Sequence, residues 1–212
     1  SIDEVESIER LLSSKLFMGN QATRRNLEIA ARNHPILHLA IHACVDDRDP
    51  MYNRLYLADS TMETFEIFNL DLAAQMVVLG ACETGVGDII RGEGIMSLAR
   101  GCAYAGCPSL VSSLWRVDDK ATGILMALFY ENLAAGQPKD VALRNAKLAF
   151  FEQPDIPWQG FHPALWGAFV HIGNPAPLQL PVALKPIPWY WVLVLVAMLA
   201  IGVWGTVRWE PS

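Results

Sequence analysis

Apolar residues recur at helical spacing at the start of the chain: Ile2, Val5, Ile8, Leu11 and Leu12 share one side of a predicted helix. Asp3, Glu4 and Glu6 crowd its first turn, where the helix dipole favours acidic groups. Met18-Gly19-Asn20 breaks the pattern. A second helix is predicted from about Ala22 to Arg32, with Leu27, Ala30 and Ala31 inward and Ile29 off that face. Asn33-His34-Pro35 ends it, because a residue before proline avoids the helical region. The pattern then changes. Ile36–Ile41 is a short apolar run of buried-strand character, and Met76–Ala81 and Pro108–Trp115 repeat it. Weaker strands are expected at Arg54–Ala58 and Thr64–Ile67, joined by the polar turn Asp59-Ser60-Thr61, and a final strand at Ala168–Ile172. Helices are expected at about Ile95–Ala105, from a cap at Asp118 or Asp119 to about Ala134, and at about Asp140–Phe151.

Apolar strands alternating with helices predict an α/β domain with a mostly parallel central sheet and helices on both faces. In such sheets reactive groups gather where the strands end. Two strands end in reactive residues: His42 closes Leu39-Ala40-Ile41, and Cys82 closes Leu79-Gly80-Ala81. If the two strands are neighbours, both side chains face one cleft. The thiolate is the reactive form of cysteine, and an imidazole can take its proton and later return it to a leaving amine. Gly85 and Gly87 would let a substrate backbone approach. On spacing alone a cysteine at a strand end is more often a small buried hydrophobe, and a histidine there is often a hydrogen-bonded polar cap.

Composition adds one element. Half the chain is hydrophobic (52%, mean hydropathy +0.25), and the excess is local: Pro186–Val207 runs 22 residues without a formal charge. About 20 residues of helix span a bilayer core. Tryptophan and tyrosine at 189–191 and tryptophan at 204 and 209 resemble interfacial belts. The expected organisation is a domain over 1–175, a Pro-rich linker over 176–187, a transmembrane helix over 188–207 and a short tail over 208–212. Residues 1–180 carry 14 Lys and Arg against 21 Asp and Glu, an acidic balance that argues against nucleic-acid binding. Cys44, Cys82, Cys102 and Cys107 form no CxxC pair and no metal-ligand spacing. Free thiols in a reducing compartment are therefore expected. Ser at position 1 points to a longer parent protein.

Several motifs together resemble the CHAT domain family of caspase-like peptidase domains, often attached to tetratricopeptide repeats. They are Leu37–His42, Val78–Gly85, Arg91-Gly92-Glu93-Gly94, Ser113–Thr122, His162-Pro163 and Leu165–Phe169 followed by Gly173. The resemblance spans about residues 1–175. It implies a caspase–hemoglobinase-like fold and a Cys–His dyad in which Cys82 is the nucleophile and His42 the base. It also implies an oxyanion hole of the backbone N–H groups of Cys82 and Ala43. The family usually has glycine where this chain has Ala43, and threonine where it has Ile41.

The same resemblance sets the Leu110–Trp115 strand beside the Cys82 strand, with its end, Leu114–Arg116, lining the cleft and able to pair with an extended peptide. Glu83, Ser113, Trp115, Asp118 and Asp119 are then candidate substrate contacts, the two aspartates either a pocket for a basic side chain or a helix cap and first-turn carboxylate. The loop Asp46–Asp49 reads as solvated. The implied activity is a membrane-anchored cysteine endopeptidase acting on protein substrates, gated by upstream repeats or a partner. It needs no metal or other cofactor, and its catalytic domain is expected on the cytoplasmic side of a tail anchor. The alternative is an inactive interaction module on the same fold.

Overall fold

The structure is a computed structural model that describes residues 8, 12, 14–41, 43–44, 52–80, 93–115, 117–153 and 162–179. His42, Cys82, Glu83, Asp46–Asp49, the glycines at 85, 87 and 92, Arg116, most of the first predicted helix and the apolar segment 186–207 lie outside them. The chain divides into a unit of Ser1–Gln179 and a second unit, Leu180–Ser212, which lies outside the described residues. Among the described residues no helix is long and apolar enough to cross a membrane.

The main sheet has four strands: β1 (Ile36–Leu39), β5 (Met76–Leu79), β6 (Ser109–Ser113) and β7 (Phe169–Gly173), in the order β1-β5-β6-β7. The first three are parallel and β7 runs antiparallel to β6. A smaller antiparallel sheet holds β2 (Ala43–Cys44), β3 (Arg54–Tyr56) and β4 (Thr61–Glu63). The helices are α1 (Arg24–Asn33), α2 (Thr64–Ile67), α3 (Glu93–Tyr104), α4 (Asp119–Ala134), α5 (Lys139–Phe150) and α6 (Pro163–Trp166).

Side chains alternate across the main sheet and fill two cores. On one face Leu37, Val77, Leu79 and Leu110 pack with Leu27, Ala30 and Ala31 of α1 and Ala99 and Cys102 of α3. On the other, Met76, Val78, Val111 and Phe169 pack with Leu125, Met126 and Phe129 of α4 and Ala142, Ala146 and Phe150 of α5. Every residue of β5 and β6 is buried, as the apolar runs predict for strands covered on both faces.

One expected strand is a helix. Thr64–Ile67 alternates in hydrophobicity, yet it forms α2, because Glu63 and Glu66 cap it reciprocally. Glu63 N donates to Glu66 Oε2 at 2.9 Å, and a capping box satisfies amides that a strand would leave to a neighbour. β4 ends one residue earlier, at Glu63.

The end of the first unit is tied down. The buried Lys139 (2% exposed) donates from Nζ to Asn174 O at 3.2 Å and Ala176 O at 2.7 Å, and its backbone N donates to Pro175 O at 2.8 Å. Gln75 and Gln179 exchange two hydrogen bonds of 2.9 and 2.8 Å. Part of the predicted linker, Ala176–Gln179, is thus a strap bound where β5 and β6 begin.

Beside the strap, Ser109 Oγ and His171 Nε2 lie 2.8 Å apart. Burial first, and then the Lys139 ammonium, hold the His171 imidazole below its usual range, opposed by Asp140 and the Asn174 backbone. The folded chain therefore favours the neutral ring. Stability present above about pH 6.5 is lost as pH falls through that value toward the lower folded one. Urea midpoints measured at about pH 7.5 and 5.5 are expected to fall on acidification, and to fall less in His171→Asn. Equal falls in the two proteins exclude His171 as a contributor.

Candidate functional site at the carboxyl ends of the parallel strands

β1 and β5 are hydrogen-bonded neighbours in register, Leu39 against Leu79, and the ladder runs one step further through Gly80 N to Leu39 O at 3.0 Å. His42 and Cys82 each follow their register partner by three residues. The condition set by the sequence, adjacency of the two strands, is therefore met. β6 flanks β5 on the other side, Leu79 against Ser112. One position further on, Ala40, Gly80 and Ser113 form a row of small residues across the ends of the three strands.

Ser113 is 1% exposed and its Oγ has no hydrogen-bond partner among the described residues. A buried hydroxyl without a partner costs about 1–3 kcal/mol and calls for an explanation. Ser113, a candidate substrate contact, is thus buried where β6 ends. Leu114 N donates to Ala168 O at 2.9 Å, so this amide, expected to pair with a peptide, already serves the junction with β7.

Trp115 is seated rather than free. Its indole Nε1 donates to Ala164 O at 2.9 Å, while 37% of the residue stays exposed. The carbonyl comes from α6, whose N-cap His162 accepts from Ala164 N at Nδ1, 3.2 Å away. Gly167 keeps the approach open, since a Cβ there would sit against Pro163 O and 3.7 Å from Trp115 Cζ2. The His162–Phe169 motif thus acts as a bracket for the end of β6.

Asp118 and Asp119 divide as a cap and a first-turn acid. Asp118 Oδ1 accepts from Lys120 N and Ala121 N, both at 3.1 Å, and caps α4. Asp119 is exposed in the first turn. Ala43 opens β2 in extended pairing with Leu55, a conformation open to any residue. Alanine in place of glycine therefore brings no backbone penalty there.

A contact missed in the sequence lies on the face of β1 toward α4. His38 Nδ1 is 2.9 Å from Tyr130 Oη, and Tyr130 is fully buried. The partners are 92 residues apart, which leaves no local signal. Cys102 and Cys107 are both buried. Burial pushes the Cys102 thiol up to about 12 and raises Cys107 as well, which disfavours the thiolate at both. Away from the strand ends, a cavity of about 160 Å³ is bounded by Arg24, Glu28, Arg32, Glu66, Asn69, Leu70 and Asp71. There Arg24 is already held by Glu66 at 2.7 Å and Glu28 at 3.0 Å.

The CHAT domain family model matches residues 1–174. Tetratricopeptide repeat protein 28 of Homo sapiens is 26% identical over 128 residues, which are 60% of this chain and 5% of that protein. Its Mus musculus counterpart is 24% identical over 128 residues with the same shares. The chain thus spans 5% of the length of these curated relatives.

Proposed function

Because this chain belongs to the CHAT domain family, we propose that it is a cysteine endopeptidase of caspase type acting on protein substrates. The observation that carries the reading is the in-register pairing of β1 and β5, whose ends lead by equal steps to His42 and Cys82. In this reading His42 takes the thiol proton and the Cys82 thiolate attacks the scissile carbonyl. Backbone N–H groups of Cys82 and Ala43 hold the oxyanion. His42 then protonates the leaving amine, and water releases the acyl group. Glu83 and the exposed Asp119 are the carboxylates assigned to a basic side chain in this reading, and the exposed face of Trp115 offers a wall. The uncharged stretch 186–207 supports a membrane tail, with the catalytic domain on the cytoplasmic side.

A second reading is favoured by the relatives named for tetratricopeptide repeats, of which the chain covers 5%. In it the domain is a non-catalytic interaction module attached to a repeat scaffold. In either reading a repeat-containing protein is the partner the relatives suggest.

Thiol alkylation of the full chain separates the two and needs no substrate. Cys82 is expected to alkylate selectively, with a pH midpoint below the free-thiol value of about 8.5. Cys102 and Cys107 are expected to stay unmodified until the chain unfolds. An ordinary midpoint at Cys82, read by peptide mass spectrometry, favours the interaction module.

A further inference from the structure

The strap Asn174–Gln179 is held by few bonds, and its main anchor is a buried charge. Pro175 and Pro177 have no N–H to give, and only Leu178 of the six residues is even half-buried. Asn174 N donates to Pro108 O at 2.9 Å, and the two bonds between Gln75 and Gln179 lie exposed to water. Lys139 is the exception. Among the described residues its buried ammonium is held by the carbonyls of Asn174 and Ala176 and by no carboxylate. His171 stands beside this anchor, half-buried, with Ser109 Oγ 2.8 Å from its Nε2. A hydroxyl can donate to a neutral ring or accept from a charged one, so Ser109 serves either form. The charged neighbours decide. From α5, Lys139 opposes a proton on the ring and Asp140 favours it, as does the Asn174 backbone. His171 shares a sheet face with Phe169, which packs with α4 and α5. Further along α5, Lys147 is spent on Phe169 O at 2.7 Å. Of the buried residues of α4 only Tyr130 titrates, and its hydroxyl lies against His38 instead.

We propose that the strap is an acid-released latch: a proton on His171 sets a second cation beside the Lys139 ammonium, and the strap lets go while the sheet stays folded. The inference is independent of the assigned activity. Lys139 cannot retreat from a charged His171 without dropping the carbonyls of Asn174 and Ala176. Once the strap is off, the ammonium can reach water and the repulsion is screened. The strap yields first because its remaining bonds are few and exposed, whereas β7 keeps five register pairs with β6. The sign follows from the ring. Burial and Lys139 hold it below its usual range while the strap is in place. The latched form is therefore favoured above about pH 6.5 and loses ground as pH falls below that value.

The test is amide hydrogen exchange on the full chain at about pH 7.5 and 5.5, read as protection factors so that the intrinsic effect of pH on exchange cancels. Two amides report the latch: Lys139 N, which donates to Pro175 O, and Gln179 N, which donates to Gln75 Oε1. Their protection is expected to fall about tenfold on acidification, the most one proton gives one unit below the free imidazole value of about 6.5. The amides of β5 are expected to keep theirs. In His171→Asn, and in His171→Gln as a second variant, the two latch amides are expected to hold their protection at both pH values. The β5 amides in the same runs show that each variant is folded. Latch amides that do not respond to pH in the wild type overturn the inference. So does an equal fall in the folded His171 variants, which assigns the response to another group. A fall shared in step by β5 makes the event global unfolding and overturns the latch as well.

Discussion

Replacing Cys82 or His42 by alanine is expected to lower kcat/KM for peptide cleavage by at least about a thousandfold, and replacing both to lower it no further. In the proposed mechanism the two groups act as one unit. Without the imidazole the thiol keeps its proton at neutral pH, and without the sulfur the imidazole has nothing to activate. Non-additivity is therefore the signature that separates a dyad from two independent contributors. Progress curves with a fluorogenic peptide library, run on the wild type and the three variants, measure it. Losses that multiply in the double variant, or a His42→Ala protein that cleaves normally, refute the dyad. The same library gives the preference at the residue before the cut. A basic preference that disappears in Asp119→Asn would give that exposed carboxylate a substrate role beyond its place in the first turn of α4.

The largest effect on stability is expected at Gly173. Its φ is +104°, a region that side chains rarely adopt, and a Cβ built there meets Pro108 O and crowds Ser109 Cα. The neighbour is the backbone leading into β6 and has no rotamer by which to move aside. Strain and collision together are expected to cost Gly173→Ala about 3–5 kcal/mol. For a domain of this size that lowers Tm by roughly 10 °C. Gly136 is the control: its φ is +80°, yet nothing lies within 4 Å of a Cβ there. Gly136→Ala should lose only the conformational part, about 1 kcal/mol. Differential scanning calorimetry of both variants checks the pair, and equal losses would remove the collision from the account.

The strands were legible because burial on both faces leaves no choice of residue. Met76-Val77-Val78-Leu79 admits no polar side chain, and all four residues are buried. β6 was legible despite three serines, because Pro108 opens it and the apolar Leu110, Val111 and Leu114 mark its course. The helix faces followed from spacing: Leu27, Ala30 and Ala31 are buried and Ile29 is 46% exposed. α2 was misread because two glutamates three residues apart outweigh alternation over four residues. Lys139 gave no sign of burial, since its partners Asn174 and Ala176 lie 35 and 37 residues away. Strand order is likewise a property of pairing rather than periodicity, so the neighbouring of β1 and β5 entered the sequence reading only as a condition. His42 and Cys82 were proposed from residue type and strand end, and they lie outside the described residues. Of the flanking candidates, only the structure separates the cap Asp118, the buried Ser113 and the half-open Trp115.

The strap at Asn174–Gln179 has a mechanical consequence. Its anchor points are Lys139 at the start of α5 and Gln75 just before β5, while Gly80 and Ser113 mark the other end of the same strands. A strand of five residues is about 17 Å long. A load hung on the chain beyond Gln179 is therefore taken up first where β5 and β6 begin, with the length of those strands between the grip and the end marked by Gly80 and Ser113.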